Sequence, residues 1–222
     1  MTRISAERAK ALALRRYEAT AVPWASDRAE PRLDFYSPFG PMIAKTQIAP
    51  ELVARLNRYA DPQVTPGVSR EFHVPQAAVV DGGTQSLQAV TEAAIARYVK
   101  VVYGEPPEQV RVETFWIVSQ VAGSASPMHH HSSDISGVLY LKVPEIADPA
   151  EEEKTYISNR RAGFINFMIG GRQEFSRSLI SFKPVVGDFY VFPGWLLHGV
   201  EPFDGQGERR SLAFNAYVET QR

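Results

Sequence analysis

The sequence predicts a mainly β fold with N-terminal helices, an α+β chain of one domain over 1–222. Two changes of texture along the chain predict it. Before Pro107, apolar residues recur at helical spacing between prolines; after it, short β-branched and aromatic runs alternate with Gly- and Pro-containing turns. Helices followed by closely spaced strands fit an antiparallel sandwich or barrel with helices packed on one side. Residues 1–107 then form a helical part packing on the core, and 108–222 form the core itself. The third observation is composition. With 222 residues, 44% hydrophobic and 22% charged, the chain can bury a full core without a staple, so any metal is functional rather than structural.

Each element has its own signal. Ser5 caps a first helix running to about Glu18, after which Pro23, Pro31, Pro38 and Pro41 leave an irregular or edge-strand segment. Pro50 opens a second helix at the position proline tolerates, with Leu52, Val53, Leu56 and Tyr59 as its apolar stripe. In the third, Leu87, Val90, Ala94, Tyr98 and Val101 repeat at helical spacing until Gly104 stops it. Strands follow at Val110 to Val121, Ile135 to Val143, Leu179 to Lys183, Phe189 to Phe192 and Ser211 to Val218. The charged stretch from Asp148 to Arg177 reads as a solvated insertion, with a strand-like Phe164 to Ile169 pairing inside it.

Charge and cysteine usage narrow the chemistry. Lys plus Arg at 24 against Asp plus Glu at 25 leaves a net charge of -1, so a nucleic acid footprint is missing. Cysteine is absent, which excludes disulfides and thiolate sites and leaves His, Asp or Glu to hold any metal. No apolar run approaches the roughly 20 residues of a membrane span. Met1 to Tyr17 lacks a signal-peptide core, and Glu7 and Glu18 argue against a transit peptide. A cytoplasmic location is expected. The first helix could pack within one chain or between the two chains of a homodimer.

The histidines are His73, His129, His130, His131 and His198. Side chains two apart on an extended segment share a face, so His129 and His131 converge while His130 points away. With His198 from a later strand they would form an open three-imidazole site of the kind non-heme iron accepts. Asp134 has the wrong parity for the same face, and His73, between Phe72 and Val74, reads as structural. The last strand adds an independent signal. Leu212, Phe214, Ala216 and Val218 make its apolar face; Arg209, Ser211, Asn215 and Tyr217 lie opposite. An inward Arg beside a Ser hydroxyl suits a carboxylate. A hairpin through Glu201 to Gly207 would bring His198 and Arg209 together, so that a small diacid chelates the metal at one end and meets Arg209 at the other.

The stretches Met128 to Leu141 (MHHHSSDISGVLYL), Gly187 to Val200 (GDFYVFPGWLLHGV) and Gly207 to Asn215 (GERRSLAFN) resemble a family of small, largely bacterial and phage Fe(II)/2-oxoglutarate-dependent oxygenases. The resemblance implies a double-stranded β-helix (jelly-roll) core flanked by helices. It implies iron on His129, His131 and His198, with 2-oxoglutarate as cosubstrate held at its distal carboxylate by Arg209 and Ser211. It further implies use of O2 to hydroxylate a small-molecule or protein substrate, with release of succinate and CO2. His131 stands where the wider superfamily usually has Asp or Glu, and three consecutive histidines separately admit His130 in place of a neighbour. Trp116, Tyr140 and Trp195 are expected to line the substrate side. Asp188, after Gly187, is explained by turn chemistry. Two other readings compete: a cupin-like three-histidine metalloenzyme that does not use 2-oxoglutarate, and a non-enzymatic jelly-roll binding domain.

Overall fold

The computed structural model of the chain describes residues 34–36, 40–145, 162–170, 178–204 and 206–220. The helix expected before Glu18 and most of the insertion 148–177 lie outside them. Both remaining helices form as their sequences dictate. Helix α1 (Pro50–Ala60) starts on its proline and buries Leu52, Val53 and Leu56. After the short α2 (Gln76–Val80) comes α3 (Leu87–Tyr103), capped by Ser86, whose Oγ accepts the Ala89 N–H at 3.2 Å. It ends at Gly104, where φ of +101° is open to glycine at little cost.

Eleven strands are described: β1 (Asp34–Tyr36), β2 (Ile43–Gln47), β3 (Arg70–His73), β4 (Gln109–Gln120), β5 (Ser126–His129), β6 (Ile135–Lys142), β7 (Ile165–Met168), β8 (Leu179–Phe182), β9 (Asp188–Pro193), β10 (Leu197–Val200) and β11 (Arg209–Glu219). They form two sheets, ordered β1-β2-β9-β6-β11-β4-β3 and β5-β10-β7-β8, with every pairing antiparallel. This is the predicted sandwich, and its fold is a jelly roll. No helix among the described residues is long and apolar enough to cross a membrane.

Three differences from the sequence reading matter. Residues 1–107 are not only helical, because β1 to β3 extend both edges of the larger sheet. These strands are three to five residues long, and Arg70–His73 is polar, so no period of two could declare them. The strand at Ile165–Met168 pairs with β10 and β8 rather than inside the insertion. His198 and Arg209 are not in one hairpin: β10 belongs to the four-stranded sheet and β11 to the seven-stranded one, so the connection crosses the sandwich.

Alternation along the strands divides the interior in two. Ala44, Ile117, Leu139, Phe189, Leu212 and Phe214 face α1 and α3, meeting Leu56, Ile95 and Tyr98. Ile43, Tyr140, Phe167, Tyr190, Phe192 and Leu196 fill the space between the sheets. Burying each such side chain stabilises the fold by about 1.5–3 kcal/mol. At Gly137 a Cβ would lie 2.2 Å from the Phe214 ring, so only glycine lets β6 pass beneath it.

Candidate metal centre

The three histidines predicted to converge do so at one end of the sandwich. One nitrogen from each of His129, His131 and His198 lies within 4.8 Å of the others, a group large enough to hold a metal ion. Their rings sit 4.4 to 5.2 Å apart between centroids. His129 and His198 are cross-strand partners in β5 and β10, which puts both rings on the inner face. His131 lies just past β5. Its backbone N–H donates to the Gly194 carbonyl at 2.8 Å, and the Gly194 N–H donates to the Asp134 carbonyl at 2.9 Å. A Cβ at Gly194 would stand 2.0 Å from the Ser133 carbonyl, so this approach requires glycine. His130 is exposed and outside the group.

The chemistry of the rings fits a divalent metal. Nδ1 of His129 lies 2.6 Å from the Pro127 carbonyl, and Nδ1 of His198 lies 2.8 Å from the Leu196 carbonyl. A carbonyl can only accept, so each Nδ1 carries a proton and Nε2 is the nitrogen left to ligate. Burial pushes the His198 imidazole down to about 4, and it lowers His131 as well, helped by the neighbouring His129 and His130. Both are therefore neutral at physiological pH, the form that ligates. Asp134, a sequence candidate, accepts the Val218 N–H at 3.1 Å and lies outside the group.

The two arginines at the start of β11 diverge as strand parity predicts, and both are buried rather than solvated. Arg210 faces α1 and meets Glu208 at 2.7 Å and Asp61 at 2.8 Å. Arg209 points between the sheets, 1% exposed, and donates to the Gln120 side chain and to the Glu201 and Ser124 carbonyls. No carboxylate among the described residues pairs with it. Ser211, half-buried, is the register partner of Tyr140. Tyr140 is fully buried, its hydroxyl without a hydrogen-bond partner among the described residues, and close enough to Arg209 for the guanidinium charge to oppose the upward shift that burial gives its pKa. Among the described residues this buried cation meets no anion and this buried hydroxyl no hydrogen-bond partner, a pair whose chemistry fits a carboxylate.

The three aromatic candidates separate. The Trp116 ring lies 5.9 Å from His131, and Trp195, beside Gly194, is 54% exposed. Tyr140 belongs to the inter-sheet core. His73, read as structural, is exposed on edge strand β3, with Nδ1 3.2 Å from Thr114 Oγ1. Asp188 does close its turn, accepting the Val185 N–H at 3.0 Å, and it is also fully buried, ion-paired to Lys45 at 3.0 Å and hydrogen-bonded by Tyr190 at 3.1 Å and by Gln47. Gln120 escaped sequence reasoning, although its place opposite Arg209 in the β4–β11 register follows once the strands are paired.

The described residues of this jelly roll thus bring together three imidazoles that could hold a metal ion at one end of the sandwich and, between its sheets, a buried arginine that meets no carboxylate among them. Residues 114–215, which include every site residue above, match the family model described as "Putative 2OG-Fe(II) oxygenase". The match spans a little under half of the chain. Solved structures share the fold. HygX from Streptomyces hygroscopicus with nickel and 2-oxoglutarate bound is 12% identical, with a TM-score of 0.51 over 79% of this chain and 82% of that one. The viral collagen prolyl hydroxylase vCPH from Paramecium Bursaria Chlorella virus-1, in its 2OG complex, is 12% identical, with a TM-score of 0.51 over 81% and 96%. No curated protein matches.

Proposed function

We propose that the chain is a non-heme Fe(II)/2-oxoglutarate-dependent dioxygenase that hydroxylates a C–H bond. His129, His131 and His198 hold the iron, and Arg209, with Ser211 and the Tyr140 hydroxyl, takes the distal carboxylate of 2-oxoglutarate. The observation that carries this reading is that, among the described residues, the buried Arg209 has no anionic partner and the buried Tyr140 hydroxyl no hydrogen-bond partner. Bound ferrous iron supplies the electrons and open coordination positions that activate O2.

The protein's share is positioning. The carbonyls of Pro127 and Leu196 fix two imidazoles with Nε2 inward. Arg209, pinned by protein acceptors, offers a fixed charge that needs no reorganisation when the dianion arrives. Phe167, Phe192 and Leu196 keep water from the inner end of the site. Trp116 and Trp195 border the substrate side. Overall, R–H, 2-oxoglutarate and O2 give R–OH, succinate and CO2, one oxygen atom entering the hydroxyl and the other the new carboxylate of succinate.

The test is succinate formation from 2-oxoglutarate by the iron-loaded full chain, compared with His198→Ala and Arg209→Ala. Succinate is expected only from the wild type with iron. The all-imidazole ligand set favours the cupin-like reading as runner-up; iron binding with indifference to 2-oxoglutarate would establish it instead.

A further inference from the structure

The cosubstrate reading gives no task to Gln120, the last residue of β4, which is 7% exposed. Its Oε1 accepts Nε–H of Arg209 at 3.1 Å and Nη2–H at 2.6 Å. Those two donors form the edge of the guanidinium that a carboxylate commonly grips with both oxygens. Here a neutral amide holds it, and the positive charge is not cancelled. Nη1 donates to the Glu201 carbonyl at 2.8 Å, and the second Nη2 proton goes to the Ser124 carbonyl at 3.4 Å. A guanidinium has five N–H donors, so one proton, on Nη1, is left without an acceptor among the described residues.

Gln120 is itself anchored. Its Nε2 donates to Ser126 Oγ at 3.3 Å, at the start of the strand that carries His129. Glu201, the acceptor of Nη1, directly follows the strand that carries His198. The guanidinium is thus tied to the segments bearing two of the three imidazoles, and it cannot turn about its last bonds without breaking these contacts.

We propose that Gln120 is a positioning residue for the cosubstrate: it holds the Nε–Nη2 edge of Arg209 so that the remaining Nη1 proton and the Tyr140 hydroxyl receive the distal carboxylate of 2-oxoglutarate. This rests on the cosubstrate reading above. A glutamate of the same shape would make an internal ion pair and cancel the charge that recruits the dianion, whereas an alanine would free the guanidinium to rotate.

The experiment is calorimetric titration of 2-oxoglutarate into the nickel-loaded full chain, as wild type, Gln120→Ala, Gln120→Glu and Arg209→Ala, with nickel affinity measured separately. Gln120→Ala is expected to bind 2-oxoglutarate about tenfold more weakly, the scale of a hydrogen bond to a charged group. Gln120→Glu, which preserves side-chain shape and decides the matter if the alanine variant does not fold, is expected to bind more weakly still. Nickel affinity is expected to be unchanged in both. If both Gln120 variants bind 2-oxoglutarate like the wild type while Arg209→Ala does not, the positioning role is overturned. Tighter binding by Gln120→Ala overturns it too. If the nickel-loaded wild type does not bind 2-oxoglutarate, the cosubstrate reading falls, and this inference with it.

Discussion

Arg209 and Arg210 are adjacent in the chain and each is 1% exposed, yet among the described residues only Arg210 meets carboxylates. Breaking a buried ion pair strands the remaining charge and costs about 3–5 kcal/mol. Glu208 keeps Ser119 and Lys142 as partners without Arg210, so Arg210→Ala is expected to lose stability at the lower end of that scale in urea unfolding while keeping its affinity for 2-oxoglutarate. Arg209→Ala breaks no ion pair and sheds a buried charge, but it strands the Gln120 side chain and two carbonyls; it is expected to lose less stability than Arg210→Ala and to lose 2-oxoglutarate binding. A variant pair that shows the opposite assignment would exchange the roles given to the two faces of β11.

Tyr140 supplies a second expectation. Its hydroxyl is buried without a partner among the described residues, so removing it relieves an unmade hydrogen bond worth about 1–3 kcal/mol. Tyr140→Phe should therefore be at least as stable as the wild type without ligand. It should also bind 2-oxoglutarate about tenfold more weakly, since a charged acceptor loses its donor. Unchanged affinity in a titration would remove Tyr140 from the cosubstrate site.

Gly194 links fold to metal. A Cβ there would stand 2.0 Å from the Ser133 carbonyl, in the loop that positions His131. Gly194→Ala must move that backbone, and the expected result is weaker binding of nickel or cobalt by spectroscopic titration, accompanied by a lower melting temperature. Wild-type metal affinity in this variant would mean that His131 is placed by something other than the Gly194 contact.

The ionic cluster around Arg210 sets an acid limit. Arg210 is the main cause holding the Asp61 carboxyl below its usual range; for Glu208, burial alone would raise it, but hydrogen bonds from Arg210 and Ser119 bring it below. Both folded values lie under the unfolded ones. Their stabilisation is therefore complete above the ordinary carboxylate range, near about pH 4, and is lost as pH falls through the lowered folded values. Melting temperatures followed downward from neutral pH should drop more steeply for the wild type than for Glu208→Gln, which starts lower. Parallel curves would remove Glu208 from the acid transition.

Much of this was legible before the fold. Pro50, Ser86 and Gly104 mark helix ends by local chemistry, and the long runs Gln109–Gln120 and Arg209–Glu219 show their period without help. Spacing also brought His129 and His131 to one face, and strand parity separated Arg209 from Arg210. What escaped depends on partners far along the chain. Asp188 looks like a turn residue until Lys45, 143 positions earlier, is placed beside it by the pairing of β2 with β9. Gln120 gains a role only through its register with Arg209, 89 positions away. The hairpin expected between His198 and Arg209 failed because nothing local says that a strand changes sheets; proximity there comes from the sandwich, not from the turn.

The most direct measurement of the central claim is the visible spectrum of the anaerobic, iron-loaded chain as 2-oxoglutarate is added. A weak charge-transfer band is expected in the wild type, absent in His198→Ala and abolished at matched 2-oxoglutarate concentration in Arg209→Ala. Iron that binds to the three imidazoles but yields no band with 2-oxoglutarate would contradict the account.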